Sequence, residues 1–409
     1  MLRFKLRTVL LLVVAAGGLL LLVALVAYGR IGSGRQLKVN AAYPTETKPQ
    51  SKLWHAQGHW WAWLPDGIGS SLWRRDDSRW RRVGALDAWL SELPGHADVW
   101  SDGETVCAVL AGDTQLSVAQ LEYDSAQRTY VLAGSIQWSV DSFVTAEDKV
   151  TETAFDTSIN CATITRDGDG RWWIAFVHDG RVLVRHSMDA LAEQWGDPFI
   201  VARDLDDDDL CTIIALRDGI GVVWTDQVSD ALCFRQHTAE LPLESWMSTE
   251  VITQGDGVAN NHLNAVVASD GRAYVVTKTS KYIEGEPLLN LWVRQTDDRW
   301  ESHPYADYRK QFTPTRPIVL LSPDEEHLHL VHTSLDSSVW NSHRLVSRTA
   351  DRLEAVPTQK DVYLVGPHLD MRNATGCKGP LPRDAAWIVL ASDRLGNVYE
   401  GEIPQSSID

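Results

Sequence analysis

After residue 50 the chain alternates between short apolar runs and polar turns, and one unit of that alternation keeps returning. It consists of an apolar strand, an Asp-Gly type of turn, and a second apolar strand that often carries Trp or Tyr. The turns are clearest at Ser101-Asp102-Gly103, Arg166-Asp167-Gly168, Arg217-Asp218-Gly219 and Ser269-Asp270-Gly271. Ser322-Pro323-Asp324 reads as a version without glycine, and Ser392-Asp393-Arg394-Leu395-Gly396 as a stretched one. Runs of this length bounded by Gly, Asp and Pro are strand signals, and no helical period is sustained. Repetition every ~50–70 residues is the spacing of four-stranded blades arranged around a channel. The pattern therefore predicts an all-β, seven-bladed β-propeller, with six blades as the alternative. The last blade offers few strands of its own. A strand from around Gln36 to Ala42 is expected to complete it, since an open ring would expose a strand edge.

The N-terminus carries a different pattern. Arg3, Lys5 and Arg7 precede Val9–Tyr28, a charge-free run as long as a bilayer-spanning helix requires. Cations on that side favour a cytoplasmic N-terminus and an exported remainder. The reading is residues 1–8 in the cytoplasm, 9–28 as one transmembrane signal-anchor helix, 29–50 as a stalk and 51–409 as the propeller. The expected location is thus the cell membrane, single-pass, with the C-terminal domain outside the cytoplasm. Cleavage after Ala27-Tyr28-Gly29 is the competing outcome.

Composition changes the picture at three points. The chain has 409 residues and 18 Trp, many closing a polar turn as at Trp195, Trp246 and Trp300. Such aromatics are expected to pack between neighbouring blades rather than to stack on a ligand. A net charge of −17 argues against a nucleic-acid partner, which needs clustered Lys and Arg. The five Cys show no CxxC spacing, so no structural zinc site is expected, although Cys161 and Cys211 sit at similar places in consecutive repeats and are candidates for a bridge.

Asn261-His262-Leu263-Asn264, followed after its turn by Thr277-Lys278-Thr279-Ser280, resembles the sialidase-like, BNR-type propellers of bacterial surface and secreted proteins. Gly221–Gln227 and Thr315-Arg316-Pro317-Ile318-Val319 are similar to the flanking blades of that family. The resemblance covers about residues 51 to 403 and implies a fold and an extracytoplasmic setting, with no assigned activity. It does not extend to sialidase chemistry, because the Arg-Ile-Pro motif is missing and the Ser-x-Asp-x-Gly-x-Thr-Trp box is only approximated, as at Thr165–Gly168.

Residues just before each innermost strand should converge at one mouth of the channel. That set includes Asn160, Asp208, Asp209, Asn261, His262, Asn264, Thr315, Arg316, Arg372 and Asn373. The catalytic candidates are His262 as general acid or base, with Arg316 and Lys278 as cations; the ligand-binding candidates are Asn160, Asn261, Asn264 and Asn373. Asp206, Asp208 and Asp209 offer hard oxygen ligands suited to Ca²⁺, against an ordinary acidic loop; no other cofactor is expected. His327, His329 and His332 read as packed strand histidines, and Asn373-Ala374-Thr375 matches a glycosylation sequon. Serine-hydrolase elbows and phosphate-cradling loops are missing from the sequence. Two functions remain: binding of a glycan or an envelope protein, or a polysaccharide lyase or glycosidase at the channel mouth.

Overall fold

A computed structural model describes residues 35–67, 69–113, 115–143, 159, 161–339, 341–355 and 361–405. It is a propeller of seven four-stranded antiparallel sheets. The innermost strands of blades 1 to 7 are Leu53–Ala56, His96–Ser101, Ala162–Arg166, Cys211–Leu216, Leu263–Val267, Phe312–Leu321 and Arg372–Thr375. No described helix is long and apolar enough to cross a membrane, and the run Val9–Tyr28 lies outside the described residues.

Ring closure joins the first described strand to the last. Blade 7 takes three strands from the C-terminal end, Arg372–Thr375, Trp387–Ser392 and Asn397–Ile403, and its outermost strand from the N-terminal side, Arg35–Lys38. The last pair runs antiparallel with Arg35 opposite Tyr399 and Lys38 opposite Asn397. Val39 N then donates to Gly396 O at 3.0 Å. Gly396 has φ +80°, and a Cβ there would lie 2.2 Å from Val39 O, so the closing segment seats only because this residue is glycine. Gly219 plays a comparable part in the Asp218-Gly219 turn, where a Cβ would meet His237 O at 2.1 Å. In two of these turns the Asp acts locally: Asp102 Oδ1 accepts from Glu104 N and Thr105 N, and Asp167 Oδ1 from Asp169 N and Arg171 N.

The core lies between blades, where apolar strand faces meet. Trp61 and Trp63 pack with Val99 and Val106 between blades 1 and 2, and Trp172 packs with Val109 and Val118 between blades 2 and 3. The turn-closing Trp residues follow suit. Trp195 meets Trp138 edge-on at 5.6 Å, Trp246 stacks on Phe199 at 5.8 Å, and Trp300 meets Phe234 at 5.5 Å. Cys161 and Cys211 form no disulfide; all five thiols are free and buried. His329 packs against Trp387 at 5.1 Å, and His332 is buried.

Inside the channel a layer of side chains stitches four of the seven blade junctions. Asp98 Oδ2 accepts from Ile164 N at 2.7 Å, Thr163 Oγ1 from Ile213 N at 3.1 Å, Asn264 Oδ1 from Val319 N at 3.0 Å, and Thr375 Oγ1 from Lys52 N at 3.1 Å. Each of these residues holds the same register on its inner strand, and each satisfies a backbone donor that the strand edge would otherwise leave unpaired. Asn264, expected to bind ligand, is one of these stitches.

Candidate functional site

The register set by those stitches fixes what lies above them. Two positions earlier on the inner strands stand His96, Cys161, Leu210, His262, Arg316 and Asn373, one from each of blades 2 to 7. His262, Arg316 and Asn373 thus occupy one layer of the mouth, His262 from just before its inner strand and Arg316 and Asn373 from within theirs. Arg316 and Asn373 both have left-handed backbones, φ +56° and +57°.

The expected stalk supplies an element of this site. Between the closing strand and blade 1, residues Tyr43–Gln50 run as a strap across the mouth. The Tyr43 hydroxyl donates to Asp370 at 2.9–3.0 Å in blade 7, and Thr45 N donates to Ser392 Oγ at 3.1 Å. Lys48 Nζ donates to Asn261 O at 2.8 Å and meets His262 Nε2 at 3.1 Å in blade 5. Asn264 Nδ2 donates to Pro49 O at 3.0 Å, and Gln50 Nε2 donates to Ala162 O at 2.9 Å and to His96 O at 3.3 Å. Ser51 N ends the strap on Asp98 Oδ1 at 2.7 Å.

His262 is therefore enclosed. One ring nitrogen faces Lys48, the other lies 2.6 Å from Asn260 Oδ1, and the residue is 6% exposed. Burial holds its pKa well below the ordinary histidine value, and the cations Lys48, Lys278 and Arg316 add to the effect. It is a neutral, fully engaged imidazole. Lys278 is buried as well; its ammonium donates to Tyr282 Oη at 2.7 Å and sits 4.8 Å from the centre of that ring.

Four cations share this mouth: Lys48, Lys278, Arg316 and Arg372. Burial, followed by the charges of Arg316 and Lys278, brings Lys48 down to about 7. Arg316 is also lowered, by burial first and then by Arg372. Arg372 has a partner in Asp370 at 3.3 Å and lies over the Tyr43 ring at 5.4 Å. Arg316 has none: its guanidinium makes no hydrogen bond or ion pair with any described residue, and its Nε is cut off from solvent. Asn373, 2% exposed, likewise leaves both side-chain polar atoms without a partner among the described residues. Such burial also leaves the sequon asparagine out of reach of a glycosylating enzyme in the folded protein.

The acidic loop behaves differently from a metal cage. Asp209 is buried and accepts from Asp206 N, Gln227 N and the Thr225 hydroxyl, while burial raises its pKa to about 6. Asp208 accepts from Asn261 Nδ2 at 2.5 Å and Gln227 Nε2 at 2.5 Å, and Asp206 Oδ1 caps Asp208 N. These carboxylates shape the loop and brace Asn261. Among the described residues, ligand atoms within reach of one ion occur instead at Asp324, Glu326 and His327, on the opposite face at the Ser322 turn. Asn160 lies outside the described residues. Sequence reasoning missed Tyr43, Lys48 and Glu46, the strap carboxylate whose charge works against the lowering of Lys48 and Arg316; the one available signal was the Pro-flanked Tyr43-Pro44 and Lys48-Pro49 pair in a segment without strand pattern.

No family model matches the chain, and no curated protein does. Solved structures similar to it include an α-L-arabinanase from Penicillium chrysogenum complexed with arabinobiose, at 12% identity and a TM-score of 0.46, covering 79% of this chain and 99% of that one. An α-L-arabinofuranosidase from Fusarium graminearum in complex with an iminosugar inhibitor matches at 8% identity and a TM-score of 0.47, over 79% and 99%. The Aleuria aurantia lectin matches at 12% and 0.39, over 61% and 76%. Likeness at these levels is one of general architecture.

Proposed function

We propose that this protein is a membrane-anchored, extracytoplasmic propeller that binds an acidic glycan at the strapped mouth of its channel. The observation that carries the reading is the partnerless Arg316 guanidinium, set among Lys48, Lys278 and Arg372. Cations crowded into a partly buried site repel one another, and a ligand carboxylate or sulfate relieves that repulsion while filling the Arg316 fork. Exposed Tyr282, in contact with Tyr308 at 5.6 Å, gives the rim an aromatic surface for a sugar ring. The anchor rests on Val9–Tyr28 and the cations before it.

Calorimetric titration with trigalacturonate tests the site. Arg316→Gln should weaken binding roughly tenfold to a hundredfold, the value of a charge-assisted hydrogen bond, with the melting temperature unchanged. No binding by the native chain, or equal binding by the variant, overturns the reading. The alternative, a polysaccharide lyase, draws support from Lys48, since an amine titrating near neutrality suits proton abstraction. Release of unsaturated uronate from polygalacturonate, lost in Lys48→Met, would decide for it.

A further inference from the structure

The strap closes the channel at one end only. Beneath Pro49 and Ser51 lies a cavity of about 470 Å³ that opens on the opposite face. Its walls come from the inner strands of blades 2 to 5, and Glu325 and Lys378 complete it from blades 6 and 7. It is thus a blind pocket, of a size that holds a small ligand. Depressions on either side continue it across the face. One of about 640 Å³ between blades 4 and 5 shares Leu216, Arg217 and Gly271 with it; another of about 210 Å³ shares Ser101, Lys378 and Gly379.

The chemistry of this pocket differs from that of the mouth. Its charges are of both signs: Lys378 pairs with Asp98, Glu325 accepts from Ser269 N at 2.9 Å and Ser269 Oγ at 2.6 Å, and exposed Arg217 stands at the edge shared with the neighbouring depression. An anion would meet Glu325 and a cation would meet Lys378 and Arg217, so the pocket favours neither sign. A purely apolar one would strand polar groups, because the buried Thr165 and Thr212 hydroxyls have no partner among the described residues and Lys378 spends only two of its three N–H bonds, on Asp98 and Ile164 O. Between these polar points run Ile213, Ala265, Val267 and the Trp100 side chain. Hydroxyls that donate and accept, alternating with C–H faces, describe an uncharged sugar. The blind end accepts a chain terminus, and the flanking depressions accept the units behind it.

We infer that the face opposite the strap is a second binding site, which takes the end of a neutral oligosaccharide into the channel. The test is titration of the full chain, held in a non-glycosidic detergent, with cellotetraose, maltotetraose and xylotetraose, read by saturation-transfer NMR and calorimetry. At least one tetrasaccharide should bind saturably. Val267→Trp, which fills the pocket from a partly exposed position, should abolish binding, and Thr165→Val with Thr212→Val should weaken it roughly tenfold or more. Arg316→Gln, at the other mouth, should leave it unchanged, so loss of the acidic-glycan site and loss of this one are told apart. Binding by none of the three sugars overturns the inference. So does undiminished binding by both pocket variants, loss of binding in Arg316→Gln, or saturation of the pocket by an extended peptide that sugars fail to displace.

Discussion

Replacing Lys48 with Met should change how stability depends on pH. In the folded protein the Lys48 ammonium titrates at about 7 instead of 10.5, with burial the first cause and Arg316 the second. Below pH 7 both folded and unfolded chains hold the proton, and the full cost of keeping a cation there is present. Between pH 7 and 10.5 the unfolded chain keeps a proton that the folded one has released, so stability rises with pH. Each pH unit is worth about 1.4 kcal/mol, which gives a ceiling of about 3 kcal/mol between pH 7 and pH 9. Lys48 is only partly buried, and solvent screening reduces this to about 1–2 kcal/mol. Urea unfolding of the native chain and Lys48→Met at pH 6, 7, 8 and 9 measures it, since other titrating groups cancel in the difference. The native-minus-variant free energy should be flat up to pH 6 and climb by that amount from pH 7 to 9. A difference constant to within about 0.5 kcal/mol, or one that falls, would refute the placement of a strained ammonium in the mouth.

Asp98→Asn should destabilise the fold by about 3–5 kcal/mol in urea unfolding, because it leaves the Lys378 ammonium without its charge partner next to two inner strands; a loss under ~1 kcal/mol would mean that the stitch from blade 2 to blade 3 carries little. All five thiols should resist Ellman's reagent until the chain is denatured, since burial raises the pKa of each, and the native chain should run identically on gels with and without reductant.

The architecture was legible because its signals are local. An Asp-Gly turn between apolar runs announces a hairpin wherever it falls, and enough copies set the blade count. Convergence of His262, Arg316 and Asn373 was legible for a related reason: position along or just before an inner strand translates into position at the mouth, where Lys278 joins them from the end of blade 5's second strand. The strap was not, because Tyr43–Gln50 has neither strand period nor helical period, and its order comes from single bonds to blades 2, 3, 5 and 7. Asn264 also misled. Its partners are the Val319 amide and the Pro49 carbonyl, backbone groups that no side-chain pattern reveals. The bonds of Asp208 and Asp209 to Gln227, Thr225 and Asn261 were hidden for a similar reason, since those partners are distant in sequence.

Pairing Arg35 with Tyr399 sets an order on the birth of this molecule. The strand that finishes the ring is synthesised before all seven inner strands, yet its partner strand follows all of them. Until then the early strand has nothing to pair with, and its exposed edge waits through the making of six blades. A chain cut short anywhere before Asn397–Ile403 cannot latch, however well its other blades fold.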